Sequence, residues 1–193
     1  MIEVRIHGRR GQGVLVAAEL LSIAALLQGR HAQALPGFGS ERADGEVVAF
    51  CRIDDREIHT QEPVTCPDAL IIQDATLLGQ APVFDGLRDD GYLLVNSGRW
   101  LDGPSTPTLR PERAITVPAT EIAGKLTGRS IPNAALVGGF AAMTGVVLLD
   151  SVLTAIRQRF GGSVGRTNAA AAMATFDIVR TEIEDLTPAP GPR

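Results

Sequence analysis

Apolar residues alternate with polar ones at Ile2, Val4 and Ile6, the period of a strand, and the run breaks off into Gly8, Gly11 and Gly13. From residue 14 to residue 28 the period changes. Apolar side chains there cover most of a helical surface, Glu19, Ser22 and Gln28 are the few polar positions, and Gly29 stands where a C-terminal cap belongs. The pattern therefore predicts a strand, a glycine turn and a largely buried helix. A short extended piece is expected over residues 31–34, and Leu35-Pro36-Gly37-Phe38-Gly39, with one proline and two glycines, reads as a loop. Residues 47–53 read as a strand, and Asp54-Asp55 ahead of residues 56–59 suggests a hairpin added to the main sheet. Three short apolar strands follow over residues 69–73, 92–95 and 114–117, the last leading to a helix with Thr120 as its N-cap. Further helices are predicted over residues 134–149, 151–160 and 168–184.

Strands alternating with helices, and short apolar strands lacking clean polar faces, imply a mostly parallel sheet covered on both sides. The expected fold is a three-layer, Rossmann-like α/β arrangement with a β-hairpin addition. It is expected to form a single domain over residues 1–186, followed by a flexible Pro-rich tail at residues 187–193. Ligands of such sheets bind beyond the carboxyl ends of the strands, which directs attention to residues 7–13, 74–76 and 96–97.

Composition narrows the function. A formal net charge of −4, with basic residues spread rather than clustered, leaves no nucleic-acid footprint. The longest nearly apolar stretches, residues 14–27 and 134–149, fall short of the ~18 to 20 residues of a membrane span. The first residues enter strand-like sequence without a leader-like pattern, so a cytoplasmic protein is expected. Cys51 and Cys66 are too few to ligate an iron–sulfur cluster within this chain, and in a reducing compartment two buried thiols are expected rather than a disulfide. His7, His31 and His59 show no ligand spacing, no Gly-x-Ser-x-Gly elbow is present, and Cys51 lies mid-strand. No catalytic residue and no metal ligand is expected in the chain. Gly138, Ala142 and Gly145 place small residues on one face of a helix, where internal packing is the expected use.

The glycine loop admits two uses. Strand, turn and helix N-terminus together make an anion site, but three glycines also simply permit a tight turn. A dinucleotide fingerprint would need a small residue where Val16 stands and an acid in the region of Gln33-Ala34-Leu35-Pro36, and a phosphate loop would need Lys-Ser or Lys-Thr after the glycines. A free-standing dinucleotide-binding oxidoreductase and a regulatory or scaffolding module of the same fold remain alternatives.

The run Gly8-Arg9-Arg10-Gly11-Gln12-Gly13-Val14, with Ala17-Ala18-Glu19-Leu20-Leu21 after it, resembles the N-terminal motif of the gamma subunit of pyruvate and other 2-oxoacid:ferredoxin oxidoreductases. Gln33-Ala34-Leu35-Pro36 with residues 39–42, residues 49–53, and Gln73-Asp74-Ala75-Thr76-Leu77-Leu78 resemble later blocks of that family. Asn96-Ser97, Asn133 and Asn168 continue the register, so the resemblance covers about residues 2–184. Two departures are Arg10, where the family commonly has glycine, and Ala75, where it commonly has proline.

The resemblance implies a non-catalytic subunit of a complex that decarboxylates a 2-oxoacid to an acyl-CoA and passes electrons to ferredoxin. It implies alpha, beta and delta-type partner subunits, with thiamine diphosphate, Mg and iron–sulfur clusters held by the complex rather than by this chain. Coenzyme A is the ligand whose access this subunit would shape. Gly8, Arg10, Gly11, Gln12 and Gly13, with Asn96 and Ser97, are the candidate coenzyme A or anion contacts.

Overall fold

A computed structural model of the chain describes residues 1–37, 45–79, 82–99 and 107–187. The strands are β1 (Ile2–Arg9), β2 (His31–Pro36), β3 (Glu46–Asp54), β4 (Ala69–Ile72), β5 (Tyr92–Asn96) and β6 (Ala114–Val117). The α-helices are α1 (Val14–Leu26), α2 (Ala119–Thr127), α3 (Asn133–Thr144), α4 (Leu149–Phe160) and α5 (Gly162–Leu186). All six strands join one sheet in the order β2-β3-β1-β4-β5-β6. Three ladders, β1–β4, β4–β5 and β5–β6, are parallel, while β3 runs antiparallel to both β1 and β2.

Successive residues of a strand face opposite sides, and β4 shows why these strands are apolar throughout. Ala69 and Ile71 enter the larger core, while Leu70 and Ile72 enter the smaller one. The larger core takes residues from all five α-helices, so every α-helix lies on that face. Helical cover of the other face is thinner. There the 3-10 turn Ala75–Gly79 contributes Leu77, and Val83 comes from the segment that follows. The expectation of helices on both faces is met unequally: among the described residues this face carries the 3-10 turn and no α-helix.

The antiparallel addition is a hairpin of β2 with β3, in the register Ala32↔Ile53, Ala34↔Cys51, Pro36↔Ala49. It is not the predicted pairing of residues 47–53 with 56–59. Both edges of β3 are occupied, one by β2 and the other by β1, so residues 56–59 cannot pair with it. Leu35 and Pro36 accordingly belong to β2 rather than to a loop, while Phe38 and Gly39 fall outside the described residues.

Helix boundaries also moved. The stretch predicted over residues 134–149 ends at Thr144, where Gly145 closes α3 in the left-handed conformation (φ 63°), and a new helix begins at Leu149. Gly138 does serve internal packing. A Cβ there would overlap the carbonyl oxygen of Ala172 and lie 2.7 Å from its Cα, so α3 and α5 meet backbone to backbone. Helix α5 runs from Gly162 to Leu186, longer than the predicted residues 168–184. Among the described residues, no helix is long and apolar enough to cross a membrane.

Candidate functional site

The chain turns off β1 toward β2 and β3 on one side and later returns to β4 on the other, so the strand order reverses between β1 and β4. The crevice outside the carboxyl ends of two such strands is where open α/β sheets bind ligands. In this chain it is bordered by the glycine loop after β1 and by Gln73 and Asp74 after β4; the Gln73 amide N–H donates to the His7 carbonyl at 2.7 Å and continues the ladder past Ile72.

Each of the three glycines has its own reason, and Gly8 lies inside β1 rather than in the turn. At Gly8 a Cβ would meet Val14 Cγ2 at 2.7 Å, Gln12 Oε1 at 3.0 Å and Gln73 Cβ at 3.1 Å. Gly11 (φ 86°) and Gly13 (φ 68°) occupy the left-handed region, where a side chain is strained. Gly11 faces open space, but a Cβ on Gly13 would overlap Nδ2 of Asn133, the first residue of α3. Arg10, which stands where the resembling family commonly has glycine, has no positive φ, as is true of every described non-glycine residue. Its substitution therefore brings no backbone strain.

Helix α1 starts without a capping side chain, and its first backbone bond runs from the Ala17 N–H to the Gly13 carbonyl. The N–H groups of the turn before Ala17 carry the positive end of the helix dipole into the loop. Gln12 spans the crevice: its Oε1 accepts from the Arg9 N–H at 2.8 Å and its Nε2 donates to Asp74 Oδ2 at 2.9 Å. Asp74 also accepts from the Thr76 N–H at 3.0 Å and the Thr76 hydroxyl at 2.6 Å, and it faces the Arg9 guanidinium at 3.6 Å. Partial burial pushes the Asp74 carboxyl upward, but the bonds from Thr76 and Gln12 and the charge of Arg9 outweigh it and hold the group below its ordinary range.

Next to this bridge, across the Gly8 position, lies Gln73. It is 0% exposed, and neither Oε1 nor Nε2 has a hydrogen-bond partner among the described residues. Parity along β4 puts it on the side of Ile71, facing the helix layer.

Asn96 and Ser97 end β5, two strand spacings, or about 10 Å, from β1. Asn96 Nδ2 donates to the Gln73 carbonyl at 2.8 Å and to Thr120 Oγ1 at 2.6 Å, and its Oδ1 accepts from the Thr120 N–H at 3.1 Å. Thr120 is therefore not the N-cap predicted for α2. The helix begins at Ala119, and Asn96 supplies the capping oxygen from the neighbouring strand. The Ser97 hydroxyl accepts from the Arg99 N–H at 3.1 Å and donates to the Arg99 carbonyl at 2.9 Å.

A second polar group lies on the opposite face of β1. Arg5 Nε donates to His7 Nε2 at 3.0 Å, and His7 Nδ1 lies 2.9 Å from Glu46 Oε1, with His7 6% and Glu46 3% exposed. A guanidinium cannot accept, so Nε2 is the accepting nitrogen and Nδ1 carries the proton toward Glu46. The Arg5 terminus donates to the carbonyls of Val64, Val83 and Asp85, tying β1 to two loops. His7 is thus a core histidine, and His31 and His59 lie on the surface. Among the described residues no group of three His, Cys, Asp or Glu is placed to hold a metal. Cys51 is buried and its thiol is pushed up to about 12 by burial, whereas Cys66 is exposed, contrary to the expectation of two buried thiols. The loop before β4, rich in Pro and Thr, leaves Cys66 outside the core.

A family model matches most of the chain. The model of pyruvate ferredoxin/flavodoxin oxidoreductase matches residues 3–178. The chain belongs to that family. The pyruvate synthase subunit PorC of Methanothermobacter thermautotrophicus is 40% identical over 186 residues, covering 96% of this chain and 98% of the relative. The pyruvate/ketoisovalerate oxidoreductases common subunit gamma of Pyrococcus abyssi is 40% identical over 178 residues, covering 92% and 96%. Among solved structures, the pyruvate oxidoreductase subunit PORC of Thermotoga maritima superposes with a TM-score of 0.75 at 33% identity, over 91% of this chain and 95% of that one. The chain is a gamma-type subunit of a pyruvate or 2-oxoacid:ferredoxin oxidoreductase, an enzyme complex, as the resemblance of its glycine loop and third block implied.

Sequence reading did not single out Gln73 as a buried amide, Asn133 as the residue against Gly13, or the Arg5–His7–Glu46 chain. For Gln73 a signal was present: it shares the parity of Ala69 and Ile71 in an otherwise apolar strand. For Asn133 and Glu46 there was none, since their partners are 120 and 39 residues away.

Proposed function

We propose that this gamma-type subunit contributes binding and assembly rather than bond making. In the complete reaction a 2-oxoacid and the thiol of coenzyme A give an acyl-CoA, carbon dioxide, a proton and two electrons, the electrons leaving toward ferredoxin. Thiamine diphosphate with Mg, and iron–sulfur clusters, supply the decarboxylation and electron transfer from alpha, beta and delta-type partner subunits in the cytoplasm. The two cysteines of this sequence fit that division, since a cluster ordinarily takes four thiolates. The role left to this chain is to join the complex and to guide coenzyme A.

One observation carries the reading: an uncapped helix N-terminus behind a glycine loop, at the crevice where the strand order reverses. Coenzyme A carries phosphates, and backbone N–H groups at Gly11 and Gly13 suit them, while the Gln12 N–H is given to the Arg9 carbonyl at 3.1 Å and shapes the loop. Gly8 keeps the crevice narrow, and Arg10 on the exposed rim adds positive charge. Asn96 acts at one remove, because its carboxamide already holds β4 and α2 together, and Ser97 continues the same rim. Purification through a tag on this chain tests the proposal. Co-elution of thiamine diphosphate, iron and CoA-dependent 2-oxoacid oxidation is the expected result, with Arg10→Ala raising the KM for coenzyme A and sparing that for the 2-oxoacid. A chain that elutes alone and restores no activity to the other subunits would refute it.

A further inference from the structure

A buried carboxamide that bonds to nothing is costly, and a methionine of similar shape in its place would not be. Gln73 is such a group, fully enclosed at the carboxyl end of β4, with both its donor and its acceptor unused among the described residues. It lies beside the N-terminus of α1, because its Cβ and Val14 Cγ2 both come within about 3 Å of the position a Gly8 Cβ would take. The Gln12 oxygen lies 3.0 Å from that same position. The Gln12 side chain therefore stands next to Gln73 on the loop side, held among the described residues by one bond at each end, to the Arg9 N–H and to Asp74. Asp74 keeps its bonds from Thr76 and its contact with Arg9 when Gln12 leaves, so Gln12 moves without stranding the carboxylate.

We infer that Gln73 is a ligand-binding residue, exposed when Gln12 swings aside, that pairs with an uncharged donor–acceptor group of the bound molecule. A primary carboxamide offers two N–H donors and one acceptor, the complement of a secondary amide. It has no charge with which to favour phosphate. The inference rests on the reading that coenzyme A docks at the glycine loop: the α1 N-terminus takes a phosphate, and Gln73 takes an amide of the same molecule's pantetheine arm. The deep polar group thereby selects a ligand with such an arm over a bare nucleotide phosphate.

The test is Gln73→Met, with two probes dialysed against the purified complex: coenzyme A, and adenosine 3′,5′-bisphosphate, which has two of its three phosphates without the arm. Q73M is expected to raise the Tm of the full chain by about 3 to 8 °C, since an unsatisfied buried amide is removed. It is expected to weaken coenzyme A binding about tenfold, the loss of one hydrogen-bonded contact, while leaving the bisphosphate Kd unchanged. A raised Tm with both affinities unchanged overturns the inference and leaves the amide an unsatisfied buried group that meets no ligand, with the loop reading intact. A Q73M chain that melts lower or does not fold, and a Gln73→Leu chain that does the same, overturn the premise that the amide lacks a partner. If the wild-type complex binds neither probe, or Arg10→Ala weakens neither, the loop reading itself has failed, and this inference falls with it.

Discussion

Replacing Gly13 by alanine probes the junction on which the site depends. Gly13 has φ 68° and ψ 43°, a conformation that strains an L-residue by roughly 1–2 kcal/mol. The new methyl would overlap Asn133 Nδ2 and approach Asn133 Cγ at 3.3 Å and Cβ at 3.7 Å. Asn133 is buried and its Oδ1 accepts the Ala134 N–H at 2.7 Å, so moving it removes a hydrogen bond of about 1 kcal/mol. Together the loss is about 2–3 kcal/mol. With a urea dependence of about 2.5 kcal/mol per molar for a chain of this size, the unfolding midpoint should fall by about 1 M. A double-mutant cycle separates the two parts. In an Asn133→Ala background the overlap is gone, and Gly13→Ala should cost about 1 kcal/mol less. A midpoint shift below ~0.3 M would show that neither the left-handed backbone nor the Asn133 contact constrains the loop, and the same penalty in both backgrounds would refute the Asn133 contact alone.

Three further outcomes are expected. Gly138→Ala forces α3 and α5 apart against backbone atoms that cannot rotate away, and should destabilise the chain by about 3 kcal/mol or more in the same urea titration, whereas Ala142→Gly should cost only about 1 kcal/mol. Glu46→Ala removes a buried member of the Arg5–His7–Glu46 chain and should cost roughly 3 kcal/mol, against less than about 0.5 kcal/mol for Glu184→Ala in the exposed pair with Arg180. Because the folded state holds the Asp74 carboxyl below its ordinary range, its contribution is present above the unfolded value of about 4 and disappears as pH falls through the folded one. Asp74→Asn should therefore flatten stability against pH in the acid range, and an unchanged slope would contradict the bonds drawn to Thr76 and Gln12.

What the sequence determined by itself is the local grammar. The period-2 run before the glycines, the apolar surface of residues 14–28 and the short all-apolar strands each depend on neighbouring residues, so β1, α1, β4, β5 and β6 were legible within a residue or two. So were the loop glycines as a turn and the family, because ordered motifs lie along the chain itself. Partner choice was not legible. Asp54-Asp55 looked like a hairpin turn, yet β3 already had β2 and β1 on its two edges. Thr120 looked like a cap, yet Asn96 reached across from β5 to serve as one. Only the tertiary structure placed Asn133 against Gly13, joined Glu46 to His7 across antiparallel strands and left Gln73 buried beside Gln12 without a partner among the described residues. The physical reason is common to these cases: helix and strand periods arise from the chain's own geometry, whereas a buried polar atom is satisfied or orphaned by whatever distant segment folds against it.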